Sequence, residues 1–408
     1  MTLKYRKQII EGVLKIENDK QLESIEFLED LNLNELIIDK CEKIVPKINS
    51  KTIRKLEITS CQVCNTEQLQ LENLEILSLQ DDLESEENNI FGLVKNIVKY
   101  KKLTNLCIFG YNSFDISPLS KMIQLSKLTL GFCGIQSLNA LKPLINLKEL
   151  DLSGNNLKDI TPLQQLKILT NLYLDRCNLK NLSVLGCLLN LKVLSLKVFR
   201  SPIDFTKFPK IHTLTELNLN HCDLQNLYAL QPCVKNLEKL TLSGIRNIDI
   251  TPLQHWIQLK ELQMNFCNLE NVDYLKPLVN LKSLDIYENL VVFIEPLKEL
   301  KQLQQLGAGK NKIVDIQLIQ SHPNFKQFDL KQQQKPTNSE IALANKLRNI
   351  NQPITQLKQM NKFSGLQSKI TFERKIDQSL KQLLQIQVSY VGVVAQLLQK
   401  LNSSQGYQ

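Results

Sequence analysis

Residues 103–178 hold one phrase written four times: LTNLCIFGYN from Leu103, LSKLTLGFCG from Leu125, LKELDLSGNN from Leu147 and LTNLYLDRCN from Leu169. The phrase reduces to L-x-x-L-x-L-x-x-(N/C). Its leading leucine returns at Leu191, Leu214, Leu237, Leu259, Leu281 and Leu303, with spacings of 22 or 23 residues. Ten copies in phase define a repeat architecture. Poorer copies begin at Leu74, Ile53, Leu33 and Glu11, and a closing partial copy, FKQFDLK, begins at Phe325, for about fifteen repeats in all.

The L-x-L core of the phrase has the period of two that makes a short strand, leucines to one side and the x residues to the other. One such strand cannot bury its leucines alone. Parallel strands of successive repeats, stacked about 4.8 Å apart, make the core jointly and leave the x residues on a concave, solvent-facing sheet. The step from Leu74 to Leu103 is longer and contains QDDLESEENN, which predicts an acidic insertion at 80–89 that loops out of the stack.

The pattern resembles the leucine-rich repeat family across roughly residues 11 to 334. The segments DISPL, DITPL and DITPL at Asp115, Asp159 and Asp249 look like the 22-residue subclass of bacterial internalins and of a protein phosphatase regulatory subunit. That resemblance implies a curved α/β solenoid with a parallel concave β-sheet, followed here by a C-terminal helical segment. Residues 1–334 form the expected solenoid and 335–408 a basic tail.

At the ninth position of the phrase, where the chain turns inward, stand Cys41, Cys61, Tyr111, Cys133, Asn155, Cys177, Phe199, Cys222, Ile245, Cys267, Asn289 and Asn311. From Cys133 the cysteines recur every 44 or 45 residues, so the unit is a pair of repeats. Asn at this place satisfies backbone groups without ladder partners, and Cys serves as a small buried thiol. Cysteines two strands apart lie about 9 to 10 Å apart, too far to share one ion. The pair Cys61 and Cys64 lacks a second pair, the four histidines lack ligand spacing, and LGAGKNK at Leu306 lacks the first glycine of a phosphate loop. No metal, cofactor or catalytic site is predicted, and the protein is expected not to be an enzyme. A cysteine-ligase tail is excluded chemically, because residues from Lys335 onward contain neither Cys nor His.

The formal charge of +9 is uneven. The tail from Lys335 carries +7 and the first 334 residues only about +2. Outward strand positions hold twelve acids against eight bases, which argues against nucleic acid on the concave face and for a protein partner. The predicted contact residues there are Phe109, Phe132, Tyr173, Asp175, Arg176, His221, Glu261, Phe266, Asp285 and Tyr287. Position eight alternates bulky residues with Gly110, Gly154 and Gly244, which predicts shallow notches beside aromatic posts; the competing reading is that glycine suits the tight turn after the strand. A non-catalytic interaction scaffold follows, with regulation of an enzyme such as a phosphatase as the alternative that the resemblance implies.

The tail opens with TNSE at Thr337, a capping box that predicts a helix to about Ile350 over the end of the core. Beyond Pro353 and Gly365, residues 368–401 carry a heptad seam of Ile376, Leu380, Leu383, Gln387, Tyr390, Val394, Leu397 and Leu401. That segment could pack locally, self-associate as a coiled coil or, through Lys369, Arg374, Lys375 and Lys381, dock on a membrane or other acidic surface. No signal-length apolar run opens the chain, and its longest apolar stretch, from Val388, is too short to cross a bilayer, so a cytoplasmic location with reduced cysteines is expected.

Overall fold

A computed structural model describes residues 8–345 apart from 20–24, 26–27, 29–30, 42, 45–47, 64–68, 82–92, 112–114, 199–204, 225–226, 247, 318–321, 323, 325 and 343. Fifteen parallel strands form one sheet in chain order, from Val13–Glu17 to Gln327–Asp329. Each strand lies where a phrase was read. The register is leucine on leucine: Leu106 faces Leu128, Leu128 faces Leu150, and Leu150 faces Leu172. All four are fully buried, and burying each Leu is worth about 1.5–3 kcal/mol relative to exposure. The strand Ile76–Gln80 pairs directly with Asn105–Phe109. The sheet is therefore continuous across the acidic insertion, although 82–92 lie outside the described residues.

The back of the solenoid follows from arithmetic. About thirteen residues must return the chain from position nine to the next leucine, too few for an α-helix and its two turns. From Ser117 onward short 3-10 helices take that place, as at Ser117–Lys121, Thr161–Gln165 and Thr251–His255. The D-I-(S/T)-P-L segments build them. Asp115, Asp159 and Asp249 accept the backbone N–H of Ser117, Thr161 and Thr251 at 2.8 to 2.9 Å, and the following proline has no N–H to leave unpaired. Hydrogen bonds from the Ser117 and Thr161 side chains, and then those N–H groups, hold the Asp115 and Asp159 carboxyls below their ordinary range. Two shorter N-terminal repeats instead pair through Ile48–Ser50 and Leu69–Leu71 on the back.

Position nine is the inner seam. Asn155 accepts the N–H groups of Cys133 and Ile135 at 3.1 and 2.9 Å and donates to the carbonyls of Leu130 and Leu152 at 2.6 and 2.8 Å. Asn289 repeats that pattern on Cys267, Leu269, Met264 and Ile286. Cysteines continue it as donors: Cys177 Sγ reaches the Leu152 carbonyl at 3.4 Å, and Cys222 Sγ that of Leu196 at 3.0 Å. Burial pushes the thiols of Cys61, Cys133 and Cys177 up to about 12, so they remain protonated donors. Gln333 closes the seam, donating to the Ala308 carbonyl at 2.8 Å and accepting the Ile313 N–H at 3.1 Å.

A second ladder, absent from the sequence reading, runs along the edge where the chain enters each strand. Asn146, Asn190, Asn236 and Asn280, each one residue before a leading leucine, donate at 2.7 to 2.8 Å to the carbonyls of Ile123, Lys167, His212 and Ile257 in the preceding repeat. These asparagines again mark every second repeat.

At the C-terminal end Phe328 is 55% exposed in the last strand. The capping box at Thr337 is formed: Thr337 N–H donates to Glu340 Oε2 at 2.8 Å and Glu340 N–H donates to Thr337 Oγ1 at 3.2 Å. Residues 338–342 are helical, and Lys312 pairs with Glu340, tying this turn to the solenoid. The rest of the predicted helix to Ile350 and the heptad segment 368–401 lie outside the described residues.

Two outcomes are expected. Asn155→Ala strands two buried N–H groups and two carbonyls, each costing about 1–3 kcal/mol where it finds no substitute, so urea unfolding should show a loss of at least about 2 kcal/mol. The Glu340 carboxyl is held down to about 2, first by Lys312 and then by the capping bonds. Its folded value lies below the ordinary one, so its stabilisation is complete above about pH 4.5 and disappears as pH falls toward 2. Amide resonances of 338–342 should report that loss, and Glu340→Gln should remove the pH dependence.

Candidate functional site

The outward strand positions and the residues just after the strands form the concave face. Position eight sets its shape. The backbone there is left-handed in repeat after repeat: φ is +53° at Lys40, +53° at Phe132, +56° at Arg176, +56° at Val198, +57° at His221, +59° at Phe266 and +53° at Glu288. Gly110, Gly154 and Gly244 take the same turn with φ of +74° to +86°. Glycine adopts it freely, whereas an L side chain pays about 1 kcal/mol or more. The bulky occupants are thus retained against a local cost.

The posts do not stand beside open notches. A β-carbon at Gly154 would lie 2.5 Å from the Phe132 ring, one at Gly244 only 2.1 Å from the His221 ring, and one at Gly131 2.6 Å from the Phe109 ring. Each ring leans along the stack over the glycine of the next repeat. The predicted notches at Gly154 and Gly244 are therefore filled, and glycine there serves both the turn and the ring that lies on it. A partner would meet ring faces instead of pits.

The structure gathers part of the predicted set into two clusters. In the first, Phe109 and Phe132 tilt against each other with centroids 5.3 Å apart, and the Arg176 guanidinium sits 5.7 Å from the Phe132 ring. In the second, Phe266 and Tyr287 meet edge to face at 5.9 Å, Lys310 Nζ lies 5.2 Å from the Tyr287 ring, and the same Lys310 pairs with Glu288 at 3.0 Å. Phe132 and Phe266 are six repeats apart, about 29 Å along the sheet. Tyr173 is half-buried between them, in register with Asp151 and Ser195. Lys310 and Glu288 were outside the predicted contact set; their place at positions eight of neighbouring repeats was the available signal.

The predicted acids serve mostly as internal partners. Asp175 accepts from Ser195 Oγ at 2.5 Å and from the Lys197 N–H at 2.8 Å, and Asp285 accepts from Asn265 Nδ2 at 2.8 Å. Glu261 pairs with Lys239 at 3.0 Å and Glu149 with Lys127 at 2.8 Å, directly across adjacent strands. Those carboxylates raise the Lys239 and Lys127 ammonium groups above their ordinary value. Several of the acids counted along the sequence are thus partnered by neighbouring repeats. None of the nine described cysteines is in a disulfide, and seven of them are buried.

Searches of protein-family models and of curated proteins return no match to this chain. Solved structures do match. A leucine-rich repeat protein of Leptospira interrogans is similar over 82% of this chain and 93% of its own, at 22% identity and a TM-score of 0.57. This is the leucine-rich repeat fold. Toll, solved with Spatzle from Drosophila, covers 79% of this chain over 47% of its own at 18% identity and a TM-score of 0.54, and TLR13, solved with an RNA, covers 77% over 51% at 20% and 0.55. Within the leucine-rich repeat frame, position eight presents side chains such as Phe132 and Phe266 to the concave face from a left-handed backbone. Gly154→Ala should displace the Phe132 ring and destabilise the fold by about 1–3 kcal/mol, measured by thermal unfolding with one-dimensional NMR of the ring protons.

Proposed function

We propose that the solenoid is a non-catalytic scaffold that holds a protein partner on its concave face. The observation that carries this reading is the pair of aromatic and cation clusters at Phe109, Phe132 and Arg176 and at Phe266, Tyr287 and Lys310. Aromatic and Arg side chains are the usual anchors of protein contacts, and held rings lose little freedom on binding. Two of these rings occupy left-handed positions that glycine fills at lower cost in neighbouring repeats.

Structures of the same fold have been solved with a protein, Spatzle, and with an RNA. For this chain the cross-strand pairing of Lys127 and Lys239 with glutamates supports a protein ligand, because phosphate contacts need unpaired basic clusters. Regulation of an enzyme such as a phosphatase is the case in which that partner is itself an enzyme. We propose a cytoplasmic location, where buried thiols such as Cys133 and Cys177 stay reduced; no helix among the described residues is long and apolar enough to cross a membrane.

The test is capture with the full chain as bait, wild type against the double variant Phe132→Ala and Phe266→Ala. Partners identified by mass spectrometry with wild type should bind the variant roughly tenfold or more weakly, while circular dichroism shows an unchanged fold. Undiminished retention would sink the concave-face reading.

A further inference from the structure

The edge where the chain enters each strand carries a pattern separate from the concave face. Two residues ahead of the leading leucines stand Ile123, Ile145, Leu189, Ile257 and Val279. In the other repeats between residues 101 and 301 the same position holds Lys101, Lys167, His212, Lys235 and Lys301. Ten successive places are either aliphatic or basic, and none is acidic. Beside Lys167, Ile168 is also exposed, and together the isoleucines, Leu189 and Val279 are 40% to 63% accessible.

The asparagine ladder fixes these places in a row. The carbonyls it ties down, Ile123, Lys167, His212 and Ile257, belong to the very residues two ahead of the leucines. Their spacing follows the strand stack, about 4.8 Å per repeat at the sheet. Around the aliphatic run from Ile123 to Leu189, the entry loops 116–126, 138–148, 160–170 and 182–192 hold five lysines, with Asp115, Glu149 and Asp159 at their borders. Lys121, Lys148, Lys167 and Lys192 are exposed there.

Single aliphatic tips set between lysines, along the outer rim of a rigid frame, suit insertion among lipid headgroups better than a partner's core. A protein contact would call for aromatic anchors, and this rim from 116 to 192 has none exposed. Five lysines here outnumber the bordering Asp115 and Asp159, and Glu149 is already paired with Lys127, so the net positive charge of the rim complements an anionic bilayer. We propose that this edge docks the solenoid on an anionic phospholipid surface, with Ile123, Ile145, Ile168 and Leu189 entering the interface and the lysines meeting headgroups. The concave face then remains open to its partner.

The full chain should sediment with phosphatidylserine-containing vesicles and stay in solution with pure phosphatidylcholine, and retention should fall as salt rises. The edge variant Ile123→Ser, Ile145→Ser, Leu189→Ser, Lys148→Glu and Lys192→Glu, all at exposed side chains, should reduce retention at least tenfold with an unchanged circular dichroism spectrum. A milder charge-only variant, Lys148→Glu with Lys192→Glu, guards against misfolding of the larger one and should weaken retention in the same direction. The concave variant Phe132→Ala with Phe266→Ala should sediment like wild type, so failure of either proposal is visible separately. No retention of wild type, or full retention of both edge variants through the basic tail, would overturn the assignment. Loss of a captured acidic protein by the edge variants without any vesicle effect would overturn it in favour of a protein surface.

Discussion

Every repeat turns its backbone inward after the strand, and the polar groups exposed by that turn have no water to meet. The structure depends on satisfying them from the neighbouring repeat. Asn155 reaches back across one repeat to two N–H groups and a carbonyl, Cys177 reaches back to the Leu152 carbonyl, and Gln333 finishes the series on Ala308. This requirement ties each repeat to the one before it, and it explains why residues so different in chemistry share one position. Asn can accept and donate; Cys mainly donates, its high thiol pKa keeping the proton in place, although Cys61 Sγ also accepts the Cys41 N–H at 3.2 Å. Where no Asn follows, the backbone finds another acceptor: Cys177 N–H turns to Leu174, and Cys222 N–H to Leu219.

The same reciprocity shapes the concave face. Rings at Phe109, Phe132 and His221 lie on the glycines of the next repeat, and carboxylates at Glu149 and Glu261 answer lysines on the adjacent strand. Surface residues that look independent along the chain are coupled through the stack. Their conformations are set by a neighbour about 22 residues away, which favours a rigid recognition surface over an adaptable one.

The strands, their leucines and the inner seam were legible because a 22-residue period leaves no freedom of register. Even Thr337 and Glu340 declared their capping box. What could not be read was direction. Gly154 beside Phe132 looked like an empty place next to a post, since sequence spacing does not show that the ring leans across the repeat boundary. The acid count on the concave face was correct as a tally but did not show that Lys127 and Lys239 neutralise Glu149 and Glu261 across strands. The edge asparagines were visible in INLK, LNLK, KNLE and VNLK, yet they merged with the leucine consensus that follows them. The return helices took 3-10 form because the repeat is too short for anything longer.

The final strand, Gln327–Asp329, pairs with Gln305–Gly307 on one side and with no other strand among the described residues. A parallel sheet ending this way is a template for fibre growth, since the first strand of another copy would continue it head to tail in an open filament. Lys326, Lys331 and Lys335 crowd that terminus. Any incoming strand must strip water from these ammonium groups before it can pair, so the charge on this short stretch opposes head-to-tail growth.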